Sequence, residues 1–373
     1  MASTEGQTWL EKLEELLQVD VDWMEPEYVK NMSIKPHDQT SNQLLVNIEL
    51  HRDSNADLLQ QTARELKDEG WLAVYTRASV LMCKKNIDSI SGRVLLQTLP
   101  TKAYDTQATV DHARLYDKEF ARAGIGRDRY CIKIPATGPA LNAAKILSAE
   151  GIATLGTAVF GLPQAIACSQ AGCLYISPYY NENRAHTDIS VWPDVQDPAK
   201  EHPNSPRMIQ IVEAYKRLYK ETGKEQPFVK LASFLSAKEV LAAAEMGCQS
   251  VTVPYKVLDQ LAALAWDPAQ QPAGAGVPRP SHPYRDAPPT PARLAGLSAT
   301  DPLIPGGVPA AAAASADIDI DYLAAGGAAL DDAIASDPVA AGRLADALRI
   351  FVGDDERGET SSRKKCEEAM ARV

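Results

Sequence analysis

Lys133 is the single charged residue in the run Cys131-Ile132-Lys133-Ile134-Pro135-Ala136-Thr137. The β-branched neighbours and the closing proline read as a buried strand. An ammonium buried without a partner costs several kcal/mol, so such a lysine either finds a carboxylate or gives up its proton. The neutral amine is a nucleophile, and at a strand end facing a pocket it can condense with a ketone or aldehyde to a Schiff base that serves as electron sink for C–C cleavage. The plainer alternative is a lysine whose head snorkels out at the strand end. Lys230, on the strand 228–232, is the other lysine in such a setting. Strand alternation sets it on the face opposite Ser233, toward surrounding helices, which leaves Lys133 as the reactive amine.

Positioning these residues requires a scaffold, and the chain alternates short apolar segments with longer helical ones. Strands are expected at 19–22, 44–48, 72–75, 94–98, 130–134, 153–159, 174–177, 228–232 and 251–253, one of them being a loop. Helices are expected at 8–17, 56–68, 106–123, 140–149, 163–170, 206–222, 237–246 and 256–265. This rhythm predicts an α/β fold, a (β/α)8 TIM barrel rather than an open doubly wound sheet. Neither a glycine-rich dinucleotide fingerprint nor a P-loop follows any strand.

The barrel is assigned to residues 1–266. From 267 to 316 the composition turns to Pro, Ala and Gly, as in Ala287-Pro288-Pro289-Thr290-Pro291, and predicts a poorly structured insertion. Residues 317–373 form a C-terminal helical segment in which Asp337-Pro338 opens a helix carrying Leu344, Leu348, Ile350 and Phe351. That helix could cover the barrel mouth or a partner subunit, which leaves room for a homodimer.

With 45% hydrophobic and 23% charged residues, the 373-residue chain has the balance of a soluble globular protein. A net charge of -11 and a pI near 5.1 exclude a basic stripe for nucleic acid. The six cysteines, at 83, 131, 168, 173, 248 and 366, form no CxxC pair or metal-ligand spacing and read as core residues of a reducing compartment. With no apolar signal core at the N-terminus and no membrane-length window, a cytoplasmic location and no membrane partner are expected.

Four segments in order carry a resemblance. His37-Asp38-Gln39-Thr40-Ser41-Asn42-Gln43 resembles the Asp-x-Thr-Thr-Asn-Pro signature of transaldolases, the Lys133 run resembles their Schiff-base strand, and Leu174-Tyr175-Ile176-Ser177-Pro178 and Leu231-Ala232-Ser233-Phe234 resemble their later strands. The similarity runs from Val19 to about Leu264, and the helix opened by Asp337 resembles the family's C-terminal helix. The resemblance implies a (β/α)8 barrel and a class I aldolase mechanism with neither metal nor organic cofactor, acting on a small carbonyl or sugar substrate in carbohydrate metabolism of the pentose-phosphate type. Lys133 would form the imine, and Asp22 would handle protons at the substrate hydroxyl, although a lone Asp there also reads as a turn cap. Asn42 and Ser177 would bind substrate hydroxyls, Ser233 the sugar's far end, and Thr157 a catalytic water.

Departures from the family pattern bear on reaction type. The glutamate expected on the third strand falls on Gln97, which orients water but exchanges no proton near neutral pH; aldolase-type relatives also carry glutamine there. Leu155 stands where an asparagine precedes the threonine by two. Of two expected phosphate-binding arginines, one is Leu235 and the other falls on Glu182, while Arg184, two residues on, either compensates by a loop shift or is a solvated loop residue. Three readings follow: a transaldolase-like enzyme moving a dihydroxyacetone unit of a ketose; an aldolase-type or specialised-pathway enzyme using the same imine on a non-phosphorylated or non-sugar carbonyl; and a catalytically silent binding protein.

Overall fold

The computed structural model describes residues 6–267, 279–304 and 318–373. Seven strands, β1 (Gln18–Asp22), β2 (Val94–Gln97), β3 (Tyr130–Pro135), β4 (Thr154–Val159), β5 (Tyr175–Pro178), β6 (Phe228–Leu231) and β7 (Ser250–Pro254), form one sheet in the order β1-β7-β6-β5-β4-β3-β2. Every adjacent pair is parallel. Helices cover the outside, so all six residues of β3 and of β4 are buried.

A short polar segment closes the ring. Gln39 bridges Val21 of β1 on one side and Val94 of β2 on the other, both in parallel. Val21 N donates to Asp38 O and Thr40 N to Val21 O, both at 2.9 Å, while Gln39 N donates to Arg93 O at 3.0 Å and Leu95 N to Gln39 O at 2.9 Å. The barrel is therefore complete, with residues 37–40 in the second strand position.

Two expected strands are corrected. Residues 44–48 lie in the helix Gln43–Leu50, whose first turn is capped by Asn42 Oδ1 accepting from Leu44 N at 2.9 Å and Leu45 N at 3.2 Å. Residues 72–75 lie in the helix Trp71–Lys84, launched from Gly70 at φ 88°. Short apolar runs carry no period that separates a buried strand from a buried helix, and the cap decides here. The true second strand went unread because it has no apolar pattern: Asp38 and Thr40 use their side chains inside the barrel.

Residues 279–304 of the Pro/Ala/Gly-rich stretch pack along the barrel, while 268–278 and 305–317 lie outside the described residues. Buried Tyr284 and Leu294 anchor this part, Arg293 pairs with Asp197 and Glu245, and Asp301 pairs with buried Arg207 at 2.8 Å. The helix Pro338–Val352, capped by Asp337 Oδ1 on Val339 N at 3.0 Å, packs against β4, residues 100–102, residues 183–186 and the helix Gln43–Leu50. It thus crosses the C-terminal end of the barrel, burying Leu344, Leu348 and Phe351.

Candidate active site

Alternation along the strands gives the barrel interior two levels. The lower level holds Asp20, Leu95, Cys131, Leu155 and Tyr175, all buried. Two residues further along the same strands stand Asp22, Gln97, Lys133, Thr157 and Ser177, at the C-terminal end where barrel enzymes build their sites. Six of the eight residues singled out from sequence lie at these strand ends: Lys133, Asp22, Gln97, Thr157, Ser177 and Ser233.

Lys133 is 4% exposed and sits on β3 in register with Gln97 of β2 and Leu155 of β4. Its Nζ makes no ion pair or hydrogen bond among the described residues. Burial pushes its pKa below the usual lysine value, and the charge of Asp22 is the largest influence opposing that shift. That is the condition for a nucleophilic amine. Asp22 accepts a 2.6 Å hydrogen bond from Thr40 Oγ1, which fixes one carboxylate oxygen.

Gln97 is 1% exposed, yet neither its Nε2 nor its Oε1 meets a hydrogen-bond partner among the described residues. Its main-chain oxygen is occupied, accepting from Gln43 Nε2 at 3.0 Å and Tyr116 OH at 3.3 Å. An orphaned amide beside the amine is suited to water or substrate. Thr157 lies across β3 from it, its Oγ1 3.0 Å from the hydroxyl of Tyr179. Burial, reinforced by the charge of Asp22, raises the Tyr179 pKa and keeps the phenol protonated. Tyr179 is a site residue that sequence reasoning did not place. The signal was its spacing, two residues beyond Ser177, which returns it to the interior face.

Two residues with positive φ adjoin this constellation. Ala158, at φ 57°, makes the register shift between Thr157 and Val159, and Ser233, at φ 66°, follows the end of β6. Such backbone is costly for residues bearing a Cβ and concentrates at functional sites. Asn42 spends its Oδ1 on the helix cap and keeps its Nδ2 available to a ligand. Arg184 is not brought to the cluster: half exposed, it pairs with Glu182 at 2.9 Å and with Asp346 of the helix Pro338–Val352 at 3.5 Å.

Lys230 requires a correction, because it points into the barrel rather than toward the helices. Its Nζ is 2.9 Å from Asp20 Oδ2 and 2.9 Å from Asp38 Oδ2, and lies 4.4 Å from the centre of the Tyr175 ring. The positive φ of Ser233 breaks the alternation, so counting back from that residue gives the wrong face. With His37, whose Nδ1 is 3.0 Å from Asp38 Oδ1, the two aspartates are the only group with metal-ligand spacing among the described residues. The Lys230 ammonium already pairs with both aspartates. A cleft of about 260 Å³, lined among others by Gln18, Phe228, Cys248 and Pro288, opens at the opposite end of the strands and involves none of the site residues.

Comparison with known families decides the kinship. The model of the transaldolase/fructose-6-phosphate aldolase family matches residues 19–275. The chain belongs to this family. A transaldolase of Thermosynechococcus vestitus (strain NIES-2133 / IAM M-273 / BP-1) is 31% identical over 237 residues, 61% of this chain and 58% of the relative. One of Prochlorococcus marinus (strain MIT 9211) is 29% identical over 265 residues, 68% of this chain and 74% of the relative. The chain thus spans less than two thirds of the first relative's length, and at these identities it is a divergent member of the family. No helix among the described residues is long and apolar enough to cross a membrane.

Proposed function

We propose that this protein is a Schiff-base enzyme that transfers or cleaves the dihydroxyacetone unit of a ketose through an imine on Lys133. The carrying observation is the buried, unpaired amine of Lys133, held below the usual lysine pKa, beside an orphaned Gln97 amide and the Thr157–Tyr179 pair. The neutral Nζ adds to the ketone carbon, and the carbinolamine loses water to give the iminium. Asp22 then removes the proton from the hydroxyl on the carbon beyond the breaking bond. The C–C pair of electrons flows into the iminium, an aldehyde departs, and an enamine remains on Lys133. Addition of the enamine to an acceptor aldehyde forms the new C–C bond and returns the iminium, whose hydrolysis completes transfer, whereas protonation of the enamine carbon followed by the same hydrolysis completes aldol cleavage. In both, Gln97, Thr157 and Tyr179 orient the water, Asn42 Nδ2 and Ser177 meet substrate hydroxyls, and no cofactor is called for. Cytoplasmic sugar metabolism of the pentose-phosphate type is the setting this reading suits.

The aldolase-type alternative on a non-phosphorylated carbonyl is favoured by one further observation. Leu235 offers no charge, and Arg184 is already held by Glu182 and Asp346. Borohydride reduction in the presence of dihydroxyacetone or fructose 6-phosphate, followed by peptide mass spectrometry, tests the imine. An adduct on Lys133 alone is expected; an adduct on Lys230, or none, overturns the reading. Comparing kcat/KM for fructose 6-phosphate with that for a non-phosphorylated ketose separates the two substrate classes.

A further inference from the structure

The rim beside Ser233 deepens that reading of the substrate, on which it rests. Ser233 Oγ donates to the main-chain oxygen of Asn181 at 2.9 Å. Asn181 returns two bonds to Ser233 O, from its N at 3.2 Å and from its Nδ2 at 2.9 Å. A serine hydroxyl has one proton, and here it is committed. The 2.9 Å contact between Ser233 Oγ and His186 Nε2 must therefore be donated by the imidazole. With the proton on Nε2, the Nδ1 of a neutral ring is an acceptor, and among the described residues nothing hydrogen-bonds to it.

His186 ends the short helical turn Asn183–His186 after β5, its ring is tied to Ser233 just past the end of β6, and the charge of Asp22 at the end of β1 acts on it. Crowding around the ring lowers its pKa against the opposing pull of Asp22, which keeps it neutral near pH 7. What His186 and Ser233 offer a ligand is then a pair of acceptors, His186 Nδ1 and the remaining lone pair of Ser233 Oγ, while the Arg184 guanidinium of the same loop is held by Glu182 and Asp346. At these two side chains a phosphate dianion, itself all acceptor, finds no proton to accept, whereas a hydroxyl brings the proton they lack.

We propose that His186 and Ser233 form a subsite for the terminal hydroxyl of a non-phosphorylated polyhydroxy substrate, with His186 as the residue that determines specificity against phosphate esters.

Polyols without a carbonyl test this separately from the chemistry, because they cannot form an imine. Dissociation constants for D-glucitol and D-glucitol 6-phosphate are measured by titration calorimetry or NMR on the wild type, His186→Arg and His186→Gln. The wild type should favour glucitol by about tenfold or more. His186→Arg adds a fork of donors and should move the affinity ratio toward the phosphate ester by at least about tenfold. His186→Gln keeps an amide for Ser233 but loses the imidazole acceptor, and should weaken glucitol about fivefold with little effect on the ester. A wild type that prefers the ester, or a ratio that His186→Arg moves by less than about twofold, overturns the subsite. Borohydride trapping on the wild type runs in parallel: no adduct with the ratio shift intact sinks the imine reading alone, and an adduct with an unmoved ratio sinks the subsite alone.

Discussion

Lys133 and Lys230 enter the same barrel interior, both buried, and meet opposite fates. Lys230 has carboxylates at 2.9 Å on two sides and an aromatic face at 4.4 Å. Burial would lower its pKa, but Asp20 and Asp38 outweigh burial and lift it above the usual lysine value, so it stays an ammonium. Lys133 has no carboxylate in ion-pair contact among the described residues, burial outweighs the charges of Asp22 and Asp20, and its pKa falls. Burial alone does not make a reactive lysine; burial without a paired carboxylate does. One level of the barrel thus holds a locked ion network and the level above it a free amine, separated by the spacing of one strand repeat.

The sharpest way to break this contrast is to remove each amine. Lys133→Met should abolish the borohydride adduct and reduce turnover by at least about ten-thousandfold. It should not lower stability, because an uncompensated buried amine gives way to an apolar side chain of similar length. The pH dependence gives the sign. The folded pKa of Lys133 lies below its unfolded value, so between the two the unfolded chain binds more protons, stability rises with pH, and it is lost as pH falls through the folded pKa. Denaturant titrations from neutral to alkaline pH should show that slope in the wild type and a smaller one in Lys133→Met.

Lys230→Met should behave inversely. It strands two buried carboxylates and should destabilise the fold by about 3–5 kcal/mol, seen as a lower denaturant midpoint. Adding Asp20→Asn should recover part of that loss, because one of the stranded charges is gone. Where Lys230→Met still folds, the adduct on Lys133 should persist. If Lys133→Met proves the more destabilising of the two, the assignment of free and locked amine is reversed.

The same two lysines mark how far the sequence could be read. Lys133 was legible because it interrupts an apolar strand, a local pattern. Lys230 was misread because its orientation depends on the positive φ of Ser233, which no residue type announces, serine being neither glycine nor asparagine. Residues 37–40 were legible as a family motif but not as a strand, since their pairing is to β1 and β2 rather than to neighbours in sequence. Asn42 was read as a substrate ligand, while half of its side chain is spent on capping a helix that was itself read as a strand. Arg184 could be weighed only with the helix Pro338–Val352 in hand, because Asp346 lies far along the chain.

Gln97→Glu sharpens the contrast by giving Lys133 what Lys230 already has. Its register with Lys133 and its partnerless amide mean a carboxylate there would face the amine directly. The Lys133 pKa should rise, so the limb of a trapping-rate profile that climbs with pH should move to higher pH. A placed proton donor is typically worth on the order of a hundredfold or more, so transfer to erythrose 4-phosphate, or the balance between transfer and aldol cleavage, should shift by about that factor. An unchanged rate and pH profile would mean that Gln97 does not address the reacting centre.

The smallest effect is expected at Tyr179. Burial and Asp22 keep its phenol protonated, so its part is to orient water with Thr157 and not to cycle a proton through phenolate. Tyr179→Phe removes one hydrogen bond, worth about 1 kcal/mol, and should slow imine formation and hydrolysis by roughly five- to tenfold. Steps that need no water, C–C cleavage and the capture of an acceptor by the enamine, should be nearly untouched, so capture of an acceptor by the preformed enamine should hold while steady-state transfer and aldol cleavage both fall. Thr157→Val should give the same pattern, and the double variant little beyond either single change, because both alter one oriented water. A hundredfold loss in Tyr179→Phe alone, with a changed pH profile, would instead give the phenol a proton-transfer role and make Tyr179, rather than Asp22, the group that completes Lys133.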